Sequence, residues 1–148
     1  MEVRDLITDY FKQARMMQLA TAKGGRPWVC NVWFAADDGL NIYWFSSTAR
    51  RHSGEVRENS RVAGAVVLPL TPDDVPRGVQ FEGVAEELSK DEDVTAALRV
   101  YAGRIFTEEK IRDFMANRQH KFYRIKPELF VLFDAEHFPD QPRQEWRP

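Results

Sequence analysis

The segment Ser46-Ser47-Thr48-Ala49-Arg50-Arg51-His52 gathers three hydroxyls, two guanidiniums and an imidazole at the end of an aromatic run. Arginine suits phosphate because its planar fork gives two parallel, charge-assisted hydrogen bonds. Serine and threonine hydroxyls can donate to the remaining phosphate oxygens. A helix starting near Arg51 would add free backbone N–H groups to such an anion site. On residue types alone, the turn is either a phosphate grip or a solvated surface turn, since it lacks the glycines of a phosphate-binding loop.

Other residues offer weaker chemistry. Gln80 and Glu82 share one face of a strand, where a glutamine can pair with a planar heterocycle or simply meet water. Trp28, Trp33, Trp44 and Phe45 can stack on a ring system or fill a core. Cys30 lies in an apolar strand, which favours an inert buried thiol. His120 and His137 have no neighbouring pattern with metal-ligand spacing, so no metal is expected. Neither a Gly-x-Ser-x-Gly elbow nor a dinucleotide fingerprint occurs, and no residue is assigned a catalytic role.

The elements that position these residues follow from patterning. Val3, Leu6, Ile7, Tyr10, Phe11 and Ala14 have helical spacing, so residues 1–15 hold an amphipathic helix. Barrel strands are expected over 16–88. Met16 to Ala22 ends at the turn Lys23-Gly24-Gly25-Arg26-Pro27. Trp28 to Ala36 is apolar on both faces, which suits a barrel wall buried on both sides or an interface between copies. Asp37-Asp38-Gly39 is a turn in which Asp-Gly supplies positive φ angles. Leu40 to Ser46, Arg61 to Leu68 and Val79 to Glu87 complete this set, with a proline-rich loop at 69–76.

Residues 89–118 read as a helical excursion, launched by a capping box at Ser89-Lys90-Asp91-Glu92. Two closing strands are expected within 121–134, Phe122 to Ile125 and Leu129 to Phe133, separated by Lys126-Pro127-Glu128. The final residues, 135–148, read as a polar tail containing Trp146. Strands joined by tight turns make an antiparallel sheet, and curling it closed removes exposed edges. The expected fold is mainly β with flanking helices, a small antiparallel barrel in one domain spanning 1–148.

Composition narrows the function classes. The chain has 148 residues, 43% of them hydrophobic and 12% aromatic, enough for a true core. A net charge of −2 gives no basic excess for gripping nucleic acid. No apolar run approaches the roughly 20 residues of a membrane helix, and the N-terminus does not read as a signal peptide. The single cysteine excludes an intrachain disulfide. A cytoplasmic location is the resulting expectation.

The run "LATAKGGRPWVCNVWFAADDGLNIYWFSSTARRHSGEVRENSRVAGAVV" resembles the core of the pyridoxamine 5′-phosphate oxidase-like FMN-binding split-barrel superfamily. "RGVQFEGVAEEL" looks like its following strand, and "FYRIKPELFVLFD" is similar to the ending of a bacterial branch. The resemblance covers roughly residues 15–135. It implies a six-stranded split β-barrel homodimer with flavin mononucleotide at the subunit interface. Carried over by position, Arg51 and His52 fall on the Arg-Lys pair that grips the phosphate, with His52 replacing the lysine. Arg50 falls where a serine is common, and Ser46 and Ser47 where strand ends reach the phosphate. Val29, Cys30, Asn31 and Val32 would border the isoalloxazine. Trp28 replaces an arginine of the oxidase, and Gln80 lies two residues beyond the position of its fifth-strand glutamine. Trp146-Arg147 is a weak match to the substrate pattern of the oxidase.

The implied activity is flavin-dependent oxidoreduction of a small molecule. The alternative is a flavin or haem carrier without turnover, and a barrel serving only as an interaction domain is a third possibility.

Overall fold

A computed structural model describes residues 1–148. In chain order the elements are α1 (Val3–Gln13), β1 (Met16–Lys23), β2 (Arg26–Ala36), β3 (Ile42–Ser47) and α2 (Arg51–Glu58). They continue through β4 (Arg61–Val67), β5 (Arg77–Glu87), α3 (Asp91–Tyr101), α4 (Glu108–Asn117), β6 (His120–Asp134) and β7 (Arg143–Trp146). The sheet runs β3-β2-β1-β4-β5-β6-β7, and a further β3–β6 pairing closes six strands into an antiparallel barrel. The barrel is split. β6 pairs with β3 over His120–Ile125, and its second half pairs instead with β7.

The inner wall is built by alternation. Met17 and Leu19, Val32 and Phe34, Ile42 and Trp44, Val79 and Phe81, and Phe130 and Leu132 enter one core cluster. Leu6, Ile7, Tyr10 and Phe11 of α1 join this cluster, as the helical spacing predicts. Phe11 lies within 5.3 to 6.2 Å of the rings of Phe34, Phe81 and Phe130. A second cluster joins Ala35, Tyr43, Phe45 and Phe122 to Leu98 and Tyr101 of α3 and Ile111 of α4. The strand buried on both faces is therefore β3, not β2. On the outer face of β2, Val29 and Trp33 are 59% and 46% exposed.

Four local expectations are corrected. Lys126-Pro127-Glu128 does not separate two strands. β6 runs through it, and the register shifts between Glu82 and Gly83 opposite this segment. Proline lacks an N–H for the ladder, and a bulge accommodates it. Gly83 is required here, since a Cβ would sit 2.3 Å from the Lys126 carbonyl oxygen.

The polar tail contains β7, because Trp146 packs on the core beside Phe130. The turn after β2 places its positive φ at Leu40 (64°) rather than at Gly39. Asp37 organises this turn by accepting from the backbone N–H groups of Gly39 and Asn41. Finally, Ser89 does not cap α3, whose N-cap is Lys90 with no side-chain bond. Acidic residues at 91–93 favour that end through the helix dipole instead.

Candidate functional site

Two concave regions lie around β2. The first is a basic cavity of about 890 Å³ where the β1–β2 hairpin faces the start of α2. Gly24 and Gly25, with φ of 56° and 75°, form the two-residue loop that pairs Lys23 with Arg26. That tight turn holds both cations at the cavity rim. Thr48, Ala49, Arg50 and Arg51 supply the opposing side.

Arg51 is fixed in place by its neighbours. Its Nε donates to Glu55 Oε2 at 2.8 Å, one helical turn on. Its guanidinium lies 4.1 Å from the centre of the Trp28 ring, a cation–π contact. Glu55 is buried, and its other oxygen accepts from Thr21 Oγ1 at 2.8 Å. Hydrogen bonds from Arg51 and Thr21 hold the Glu55 carboxyl below its usual range, so it stays ionised. The two Nη groups of Arg51 make no hydrogen bond within the chain and are free for a ligand.

His52 turns the other way. It is buried, and Nε2 lies 3.0 Å from Ser46 Oγ. Burial lowers its pKa, and the Arg50 charge lowers it further against the opposing pull of Glu55. His52 is therefore a neutral internal group. Ser46 is buried with it, and Ser47 accepts from the Ser53 hydroxyl and the Arg50 N–H through its carbonyl. Of the residues expected to hold phosphate, Arg50 and Arg51 line the cavity, whereas His52, Ser46 and Ser47 build the turn behind it. Thr48 of the same turn lines the cavity too, whereas the spacing alone did not reveal Lys23 and Arg26. Their signal was the Gly-Gly hairpin register, which brings Lys23 and Arg26 side by side.

The second region is a groove of about 400 Å³ on the outer face of the sheet. Gln18, Ala20, Val29, Ala65, Gln80 and Val131 are among its lining residues. Val29 and Gln80, far apart in sequence, are thus brought together. Asn31 is exposed on the same face, accepting from Gln18 at 3.1 Å. Val32 points into the core, and Cys30 is half-buried with its thiol pushed up to about 11, chiefly by burial. No residue lines both regions.

Away from β2, Asp134, Glu136 and His137 lie together near the end of β6. The buried Asp134 accepts from Tyr10, His137 Nδ1 and the backbone N–H groups of Glu136 and His137. Burial alone would raise its pKa, but these bonds outweigh it and leave the group lowered. The cluster locks the chain after β6 onto α1. No helix is long and apolar enough to cross a membrane.

The sequence profile of the pyridoxamine 5′-phosphate oxidase family matches residues 3–132, nearly the whole barrel. The chain belongs to this family. Among relatives of the family member described here, a UPF0306 protein of Pasteurella multocida is 28% identical over 83 residues, covering 55% of this chain and 56% of that protein. A heme-binding protein from Mycobacterium smegmatis superposes with a TM-score of 0.75 at 17% identity, over 92% of this chain and 54% of that one. An FAD-binding protein from Mesorhizobium loti gives a TM-score of 0.65 at 22% identity, covering 87% of this chain and 90% of its own. The chain thus spans little more than half the length of the first two. These likenesses establish the antiparallel split barrel.

Proposed function

We propose that this family member binds flavin mononucleotide and works as a flavin-dependent oxidoreductase on a small molecule, as a homodimer. The observation that carries the reading is Arg51. Glu55 and Trp28 hold it in position while its outward N–H pair stays free. A pre-organised fork loses little entropy on meeting an anion. Arg50 adds a second charge, and the first N–H groups of α2 add backbone donors. The donor set fits a phosphate monoester.

The groove fits a planar ring. Its floor is apolar and shallow, and the Gln80 amide can donate to and accept from a heterocycle edge. Homodimerisation is supported by β2 itself. Residues 26–33 pair only with β1, leaving a free edge beside exposed Trp28, Val29 and Trp33. Open apolar edges invite pairing with another chain. When bound, the flavin supplies the electron or hydride transfer. The chain's own residues anchor the phosphate and border the ring.

The test is flavin uptake. Wild-type protein should take up added FMN, and Arg51→Ala should bind it about 10- to 100-fold more weakly, as expected for a charged hydrogen-bond pair. Failure of the wild type to bind any flavin would overturn the reading.

A flavin or haem carrier without turnover is a second reading, supported by the heme-binding description of the Mycobacterium smegmatis neighbour. Reduction of bound flavin by NADH or NADPH, followed by rapid reoxidation with a small-molecule acceptor, would exclude a passive carrier. Haem rather than flavin absorbance on reconstitution would favour it.

A further inference from the structure

A third concave region, of about 420 Å³, adjoins the groove on the outer sheet face and shares Ala65, Gln80 and Val131 with it. Val67, Pro76, Val131 and Phe133 form much of its wall, and only Arg77, Gln80 and Arg143 bring polar side chains. A notch at Gly78 shapes it. In the sheet register Gly78 lies between Val67 of β4 and Phe133 of β6, whose side chains are 66% and 44% exposed. Strands on either side of a shared neighbour are roughly 10 Å apart, and a flat ring needs contacts about 3.5–4 Å from each face. One ring fits between the two side chains. A Cβ at Gly78 would sit 2.9 Å from the Val66 carbonyl oxygen, so the close pairing of β4 and β5 keeps this position free of a side chain.

The two arginines stand together at one end. Gln80 pairs with Val131, whereas Arg77 pairs with Asp134 and Arg143 with Phe133, further along β6. Arg77 lies 5.9 Å from the centre of the Tyr10 ring, and its side chain is only 28% exposed. It meets Glu136 at 3.8 Å, beyond hydrogen-bond range, so its N–H groups have no acceptor in the chain. A carboxylate accepts two guanidinium N–H groups side by side, which is the partner this fork lacks. Arg143 pairs with Glu145 at 3.0 Å. Glu136 and Glu145 already offset much of the positive charge, which leaves room for one negative charge rather than the two of a phosphate.

We propose that this cavity is the substrate subsite and that the substrate is a planar, apolar molecule carrying one carboxylate. The inference rests on the flavin reading above and deepens it. The flat body lies between Val67 and Phe133 over Gly78, and the carboxylate meets Arg77 with Arg143 beside it. The opposite edge reaches Gln80, where cavity and groove join, and so comes next to the flavin ring.

Titrations of the full chain with 2-naphthoate and its neutral counterpart 2-naphthamide, followed by ligand fluorescence, test this. The flavin-free chain should bind 2-naphthoate at least about tenfold more tightly, the scale of a charged hydrogen bond. Arg77→Gln should erase most of that advantage, Arg77→Lys should restore part of it, and Phe133→Ala should weaken both ligands alike. Both positions are partly exposed, so the variants should fold, and an unchanged thermal midpoint would show it. Equal affinity for the two ligands, no binding of 2-naphthoate, or an advantage that survives Arg77→Gln would overturn the carboxylate subsite. A dimer that excludes 2-naphthoate, read by sedimentation of the same samples, would assign this face to the second copy instead. With FMN loaded, 2-naphthoate should shift the flavin absorbance, and binding without a shift would overturn its place beside the ring. No uptake of FMN would overturn the flavin reading and with it the substrate role, while the flavin-free titration still decides the carboxylate subsite.

Discussion

The basic cavity and the apolar groove both lie around β2, share no lining residue and are built on different principles. The cavity is organised within one chain. Arg51 is held by a buried acid and an aromatic face, and that acid is held in turn by Thr21. The groove has no comparable scaffold. Small side chains leave it shallow, and its margin includes Val29, more than half exposed. A charged anchor needs fixed geometry, because hydrogen-bonded recognition is directional. An apolar surface needs only cover, which a second copy can provide. The chain thus carries a pre-organised basic cavity and a shallow, open apolar groove.

This contrast can be broken from either side. The largest effect is expected at the anchor, where Arg51→Ala should weaken FMN about 10- to 100-fold and leave the oligomeric state alone. Isothermal titration and sedimentation on the same sample check both parts. The converse variant is Val29→Asp. It should raise the dimer dissociation constant roughly tenfold, in the range of a moderate interface hot spot, and should be read by sedimentation at low concentration. Its folded stability should hold, because Val29 is exposed in the single chain.

A smaller effect is expected from Trp28→Leu. It removes the face under Arg51 but keeps the apolar bulk, and a cation–π contact at a partly exposed site is worth about 0.5–1 kcal/mol. FMN affinity should fall by about two- to fivefold. Smallest is the pH dependence of the turn behind the cavity. Burial depresses the pKa of His52 in the folded protein, so the unfolded chain binds that proton more readily. The stability this provides is present above the unfolded value of about 6.5 and is lost as pH falls through the folded value. Thermal midpoints should decline on acidification below about pH 6.5, and His52→Gln should flatten that part of the profile.

Much of the fold was legible because its signals are local and periodic. The alternation of β1, β4 and β5 and the spacing of α1 set their inward faces. The signals that misled were those in which tertiary structure outweighs local preference. Pro127 reads as a strand break, yet a bulge opposite Gly83 absorbs it. The tail reads as polar, yet alternate residues of its last strand, Gln144 and Trp146, are half-buried, and Trp146 packs on Phe130. β2 and β3 each carry three aromatic residues. Only the docking of α3 and α4 decides which outer face is buried.

At the site, Arg50 and Arg51 announced themselves by charge. His52 carried the same signal, but the first turn of α2 rotates it inward toward Ser46. Lys23 and Arg26 looked like ordinary turn residues, since nothing in their own segment shows that α2 will face them. Gln80 and Val29 share a groove through pairings that bring β2, β1, β4 and β5 side by side.

The most direct test compares FMN with riboflavin, which differ only in the phosphate. If the basic cavity is the anchor, wild-type protein should bind FMN at least about tenfold more tightly than riboflavin, and Arg51→Ala should erase most of that difference. Equal affinity of the wild type for the two flavins would contradict the account.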